Sequence, residues 1–144
     1  MNLHGSHCLV LGYGRCGRVL ASKLKGLSAH VTICARGEIA RSQGEADGFE
    51  CMSFTELSRH ILRFDYIFNT VPAIILKNDV LKRISRDACI VDIASFPGGV
   101  DKKAAKELGI CSYLCPSLPG IYAPKSSGIR LAEKVLELRG EKKA

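Results

Sequence analysis

No stretch of this 144-residue sequence approaches the roughly 18 uninterrupted apolar residues that a membrane helix needs, which argues against a bilayer-spanning segment. Met1 to Ser6 lacks the apolar core of a secretory leader, so the expected compartment is the cytoplasm. There are 7 cysteines, yet no two stand at CxxC spacing, and a zinc or thioredoxin-like site lacks its signature. An odd number of thiols fits a reducing compartment. Cys8, Cys34, Cys89, Cys111 and Cys115 fall in apolar runs and are expected to serve as small buried hydrophobes, so no metal site is expected. The net charge is +7, but Lys and Arg are spread along the chain and are nowhere interleaved with aromatics. That argues against nucleic acid as a direct partner and leaves a phosphate-bearing cofactor or an acidic substrate to account for the sign. No linker or low-complexity stretch divides the chain, so residues 1–144 are expected to form one domain, with 47% hydrophobic residues as its core material.

What is present is a regular alternation. Ser6 to Leu11 is an apolar run ending at Gly12 and reads as a buried strand. A helix is expected from about Gly14 to Leu27, with Leu20, Leu24 and Leu27 facing the sheet. His30 to Ala35 is a second strand, Ile39 to Ala46 a weak helix and Phe49 to Ser53 a third strand. Thr55 is placed to cap a short helix to Leu62. Tyr66 to Thr70 is the fourth strand, followed by a helix from Ile75 or Asn78 to Ile84. Cys89 to Ala94 is the fifth strand, and Ser95–Gly99 breaks the chain. Asp101 caps a helix ending near Leu108, with Gly109 at its C-terminal end. Cys111 to Cys115 is the sixth strand, Pro116 to Pro124 a turn-rich loop, and Ser126 to Leu138 a last helix before a charged tail. Strands alternating with helices imply a parallel sheet covered on both faces. With right-handed crossovers and an opening glycine turn, the expected order is 3-2-1-4-5-6, an α/β Rossmann doubly wound sheet of six strands.

Gly12-Tyr13-Gly14-Arg15-Cys16-Gly17 is a GxGxxG run placed between a strand and a helix, the context in which that pattern binds a dinucleotide. Gly12 allows the tight turn, Gly14 lets a pyrophosphate approach the backbone, and Gly17 lets the helix pack close to the strand. The helix N-terminus supplies free N–H groups and positive dipole to the anion. NAD enzymes place an Asp or Glu about 20 residues further on for the ribose 2′-hydroxyl. Here the second strand ends in Ala35-Arg36, and Arg36 stands nineteen residues after Gly17. A guanidinium pairs with a 2′-phosphate where a carboxylate would repel it, so the expected cofactor is NADP(H), with NAD(H) as the alternative. Arg15 and Arg41 can join the same pocket.

Ligands in such sheets bind beyond the carboxyl ends of the strands. Thr70-Val71-Pro72 and Ala94 are therefore expected beside the cofactor. Ser95, Pro97, Gly98 and Gly99, together with Pro119, Gly120 and Lys125, are expected along the nicotinamide and substrate side. Acid–base candidates are weak. His7 and His30 sit at strand beginnings, His60 is distant on a helix, and His4 lies in the leader. Asp92 reads as a structural carboxylate bonding loop N–H groups. The catalytic residue is left unassigned.

Three stretches together carry a family resemblance: Tyr66-Ile-Phe-Asn-Thr-Val-Pro72, Asp92-Ile-Ala-Ser-Phe-Pro-Gly-Gly-Val-Asp101 and Leu118-Pro-Gly-Ile-Tyr-Ala-Pro-Lys125. They resemble the A subunits of dipicolinate synthase, over nearly the whole chain and in the nucleotide-binding, C-terminal half of those proteins. The resemblance implies an oxidoreductase that forms dipicolinate, a small dicarboxylate, from a dihydrodipicolinate-type precursor with NADP. It implies that the partner is a flavoprotein-like B subunit, and that the location is the cytoplasm of a sporulating mother cell. It carries over Gly12, Gly14, Gly17 and Arg36 as cofactor contacts and Ser95, Pro97, Gly98 and Gly99 as the loop near ring and substrate. The sequence departs from the pattern at Phe96, usually basic, and at Ser117, usually glycine. It also lacks the N-terminal half that closes over substrate, so an isolated chain is expected to be a fragment that binds cofactor without turnover. A homo-oligomer is expected, as Rossmann domains often pair. The competing reading is a nucleotide-sensing regulatory domain without chemistry, which usually has an acid where Arg36 stands. A hydroxy-acid dehydrogenase would show catalytic His and Arg residues that are missing here.

Overall fold

The computed structural model describes residues 2–116; the expected last helix, with Pro119, Gly120 and Lys125, lies outside the described residues. The strands are β1 (His7–Leu11), β2 (His30–Cys34), β3 (Glu50–Met52), β4 (Tyr66–Asn69), β5 (Cys89–Asp92) and β6 (Cys111–Leu114). Between them lie α1 (Arg15–Gly26), α2 (Glu38–Ala46), α3 (Leu57–His60) with a 3-10 turn at Ile61–Arg63, α4 (Asn78–Leu81) and α5 (Lys102–Glu107). All pairings are parallel, in the order β3-β2-β1-β4-β5-β6. This is the doubly wound order the alternation implied, and β1 and β4 are neighbours across its switch point.

The central strand explains its own composition. Cys8, Leu9, Val10 and Leu11 are all fully buried, because β1 has helices on both faces. Leu9 and Leu11 join Cys34, Ile67 and Ile90 in one core, while Cys8, Val10 and Ile33 join Ala21 and Leu24 in the other. Period-two alternation therefore feeds two cores from one strand.

The local expectations were met unevenly. The buried stripe of α1 is Gly17, Ala21 and Leu24; Leu20 is half-buried and Leu27, just past the helix end, is exposed. The need to seat Gly17 against β1 sets the helix phase, and leucine at the solvent edge carries no veto. Thr55 does not cap α3. Glu56 precedes the helix, its carboxylate accepting from Ser53 N at 2.8 Å and Ser53 Oγ at 2.7 Å. Those bonds hold the Glu56 carboxyl below its usual range. α4 begins at Asn78, the later of the two expected starts, because the Ile75 and Leu76 amides donate instead to the Gly99 carbonyl, both at 2.9 Å, and it ends at Leu81, short of the expected Ile84. Asp101 caps α5 as anticipated, accepting from Ala104 N at 3.0 Å, and Gly109 follows with φ +68. Cys111 is exposed and Cys115 only half-buried, against expectation, since β6 is the last strand of the sheet order and its residues are nowhere fully covered.

Candidate dinucleotide-binding site

Six parallel strands end at one edge of the sheet, and the turns there carry most of the candidate residues. The first turn is built on glycine for two separate reasons. Gly12 has φ +91, and its amide donates to the Cys34 carbonyl at 2.8 Å. A Cβ at Gly12 would stand 2.6 Å from Thr70 Oγ1 and 2.9 Å from Val71 Cγ2. A Cβ at Gly17 would run into the Gly12 carbonyl oxygen. Gly14 differs: a Cβ there meets nothing within 4 Å. The space beside Gly12 and Gly17 is filled by the protein itself; Gly14 borders open space beside the first turn of a 12-residue helix. That is the cradle an anionic pyrophosphate requires, with the helix N–H groups directed at it.

The second turn follows β2. Ala35 is buried and Arg36 exposed. Arg41, one turn into α2, donates from Nη1 to the carbonyls of Ala35 at 3.0 Å and Arg36 at 2.8 Å. It thereby fixes the backbone that carries Arg36 and brings a second guanidinium to the same corner. No carboxylate stands at the strand end where a ribose 2′-hydroxyl would be read; Glu38 follows two residues later, exposed in the first turn of α2.

One cleft of about 670 Å³ gathers these turns. Gly12, Tyr13, Gly14, Ala35, Arg36 and Val71 of the expected set line it. So do Phe54, Thr55, Ala73 and Ile75, which sequence reasoning missed. A signal for them existed: each follows a strand at its carboxyl end. Most of the wall is apolar, and Arg36 stands at its rim. Thr70-Val71-Pro72 are expected beside the cofactor, and the cleft sets Val71, with Ala73 and Ile75, in one hollow with Ala35 and Arg36. Tyr13 contributes backbone and ring only. Its hydroxyl donates to Asp47 Oδ2 at 2.6 Å, and burial together with that bond pushes its pKa up to about 12. Arg15 and Cys16 are exposed on the first turn of α1.

The third turn, after β5, is organised differently. Ser95, Phe96 and Pro97 line up along it with a cis bond between Phe96 and Pro97; Phe96 and Pro97 are exposed, and Lys102 Nζ lies 5.4 Å from the Phe96 ring centre. Gly99 is buried. A Cβ at Gly98 would collide with Asp92 Oδ2, and one at Gly99 with Asn69 Nδ2. Asp92, buried, accepts from Asn69 Nδ2 at 2.8 Å, Ala94 N at 3.2 Å and Gly99 N at 2.6 Å. It is the structural carboxylate foreseen. Thr70 is likewise committed to the fold, its hydroxyl donating to the Leu11 carbonyl at 2.8 Å. Pro72 is exposed and Ala94 buried beside these groups. His7 and His30 stack at 5.1 Å at the opposite, amino end of their strands, and His60 lies on α3, outside the lining of the cleft. Among the described residues no cluster of three or more His, Cys, Asp or Glu forms, and no helix is long and apolar enough to cross a membrane.

No family model matches the chain. Known proteins do. The dipicolinate synthase A subunit of Bacillus subtilis is 38% identical over 139 residues, 96% of this chain and 47% of that protein. This chain matches the C-terminal half of the dipicolinate synthase A subunits. The crystal structure of the B. subtilis protein superposes with a TM-score of 0.92, covering 98% of this chain and 47% of that one, and the match falls on its C-terminal domain. The Bacillus halodurans counterpart matches at 34% identity and a TM-score of 0.91, over 96% of this chain and 47% of that one. The chain thus spans about half the length of the relatives it matches. A more distant relative is S-inosyl-L-homocysteine hydrolase of Methanocaldococcus jannaschii, 26% identical over 72% of this chain and 25% of that protein.

Proposed function

We propose that this chain is the NADP(H)-binding domain of an oxidoreductase of the dipicolinate synthase kind. The observation that carries the reading is the pairing of an open Gly14 cradle with Arg36 at the rim of the same cleft. The α1 N-terminus and the Gly14 backbone hold the pyrophosphate. Arg36 forks onto the 2′-phosphate, and Arg41 keeps its backbone in place. The apolar slot bounded by Ala35, Phe54, Val71, Ala73 and Ile75 takes the flat adenine ring. Bound NADP(H) supplies or accepts a hydride; the domain's part is to orient it and exclude water from one side.

By the same resemblance, the reaction forms dipicolinate from a dihydrodipicolinate-type precursor during sporulation, in the mother-cell cytoplasm. The partner is a flavoprotein-like B subunit, and the A subunits pair with one another. A cleft needs a second wall, which an N-terminal half provides, so residues 1–144 by themselves bind cofactor without turnover. Ser95 and Pro97 belong to the substrate side of that cleft.

The test is calorimetric titration of the chain with NADPH and with NADH, repeated on Arg36→Ala. The reading expects NADPH to bind at least tenfold more tightly, and the substitution to erase that preference. Equal affinities for the two nucleotides sink the NADP assignment. No binding of either favours a domain without a dinucleotide role.

A further inference from the structure

We propose that the buried Asn69–Asp92 pair is a positioning strut that holds the 71–75 wall of the cleft, and so controls how tightly the adenosine half of the cofactor is gripped without touching it. This rests on the dinucleotide reading of the cleft.

Asn69 and Asp92 are the last residues of β4 and β5 and are direct partners in the parallel register. Each is essentially excluded from solvent, and no buried side-chain polar atom among the described residues lacks a partner. A buried carboxylate is tolerated only when its oxygens are hydrogen-bonded, and here they are, by one side chain and two backbone amides. The consequences run to both ends of the wall. At its start, Asn69 Oδ1 accepts from Val71 N at 3.1 Å and Asn69 Nδ2 donates to the Val71 carbonyl at 2.9 Å. At its end, Asp92 Oδ2 holds the Gly99 amide, and the Gly99 carbonyl accepts from Ile75 N and Leu76 N. Val71, Ala73 and Ile75 between those anchors line the cleft. Three of these five residues are exposed, and no regular element spans them, so the two anchors set their path. The absence of side chains at Gly98 and Gly99 belongs to the same device, since a Cβ at either would displace the pair.

The experiment compares wild-type chain with Asp92→Asn and Asn69→Ala. Each is titrated with NADPH, with NADH and with adenosine 2′,5′-bisphosphate, well below its melting temperature. Asp92→Asn turns an acceptor of backbone amides into a group that also presents donors to them; Asn69→Ala leaves both backbone amides on Asp92. A strut gives folded variants whose affinity drops at least fivefold for NADPH and the bisphosphate alike, with the preference for NADPH over NADH retained because Arg36 is untouched. Folded variants that bind like wild type overturn it. A loss confined to NADPH overturns the adenosine-side assignment. Wild type that binds none of the three overturns the dinucleotide reading and the strut with it, and a wild type indifferent to the 2′-phosphate overturns the Arg36 assignment alone. Should neither variant fold, amide exchange on the unaltered chain decides. The strut requires the Val71 and Gly99 amides to be protected as well as β4 itself, and rapid exchange at either refutes it.

Discussion

Two glycine-rich turns leave the same edge of the same sheet, and they use glycine for opposite ends. At the β1–α1 turn, Gly14 borders space that the protein leaves empty. At the β5 turn, Gly98 and Gly99 make room that Asp92 and Asn69 fill. The first omission leaves room beside a helix N-terminus, and the second serves the protein's own buried polar pair. Written as sequence, GYGRCG and FPGG are both small-residue punctuation. Only the neighbours of the missing Cβ separate a cradle from a packing joint.

The difference can be broken most sharply at the glycines themselves. Gly99→Ala forces its methyl onto the Asn69 amide and is expected to destabilise the fold by about 2 kcal/mol or more, seen as a lowered denaturant midpoint. Gly14→Ala is expected to leave that midpoint within about 0.5 kcal/mol of wild type, since its φ of −81 suits alanine and its Cβ meets nothing. Its cost falls instead on NADPH affinity, by tenfold or more in calorimetry. If Gly14→Ala melts early, or Gly99→Ala does not, the two turns are not the opposites described here.

At the exit of the β5 turn, Asp101→Ala removes the cap on α5 and should lower stability by about 1 kcal/mol in the same melt, with nucleotide binding unchanged. At the β1–α1 turn, pH supplies a sharper probe. Tyr13 is raised from about 10 to about 12 by burial and by its bond to Asp47. The folded state therefore holds the proton more tightly than the unfolded chain. That contribution is complete below pH 10 and is lost as pH rises toward 12. Alkaline denaturation should show this loss in wild type, and Tyr13→Phe should blunt it.

The smallest effect is a matter of rates. Cys16, exposed on the open turn, should react with iodoacetamide well before Cys8 and Cys34, whose thiols burial pushes up to about 11 and about 12. Mass mapping of labelled peptides reads the order, and bound NADPH should slow Cys16 alone among the three.

Much of this was legible beforehand because it depended on local pattern. Apolar runs of strand length, the alternation with helices and the glycine run between β1 and α1 specify a parallel sheet and its order, since crossover handedness leaves few alternatives. Arg36 was legible as a charge in a place where chemistry cares about sign. The cleft was legible only in part. Phe54, Thr55, Ala73 and Ile75 have no motif, and they reach the cleft because β3 and β4 bring their turns to the edge that β1 and β2 already occupy. The same holds for the misread α1 stripe, where Gly17 seated against Gly12 outweighed the leucine count.

The sequence by itself therefore determined the architecture, the glycine turn and the cation that replaces an acid after β2, because each is a property of neighbours along the chain. Tertiary structure decided which glycines stay open, which turns face one another and that Asn69 is the side chain that pairs with Asp92. Those depend on atoms more than twenty residues apart, such as the Asn69–Asp92 contact, and on whether the space between them is filled.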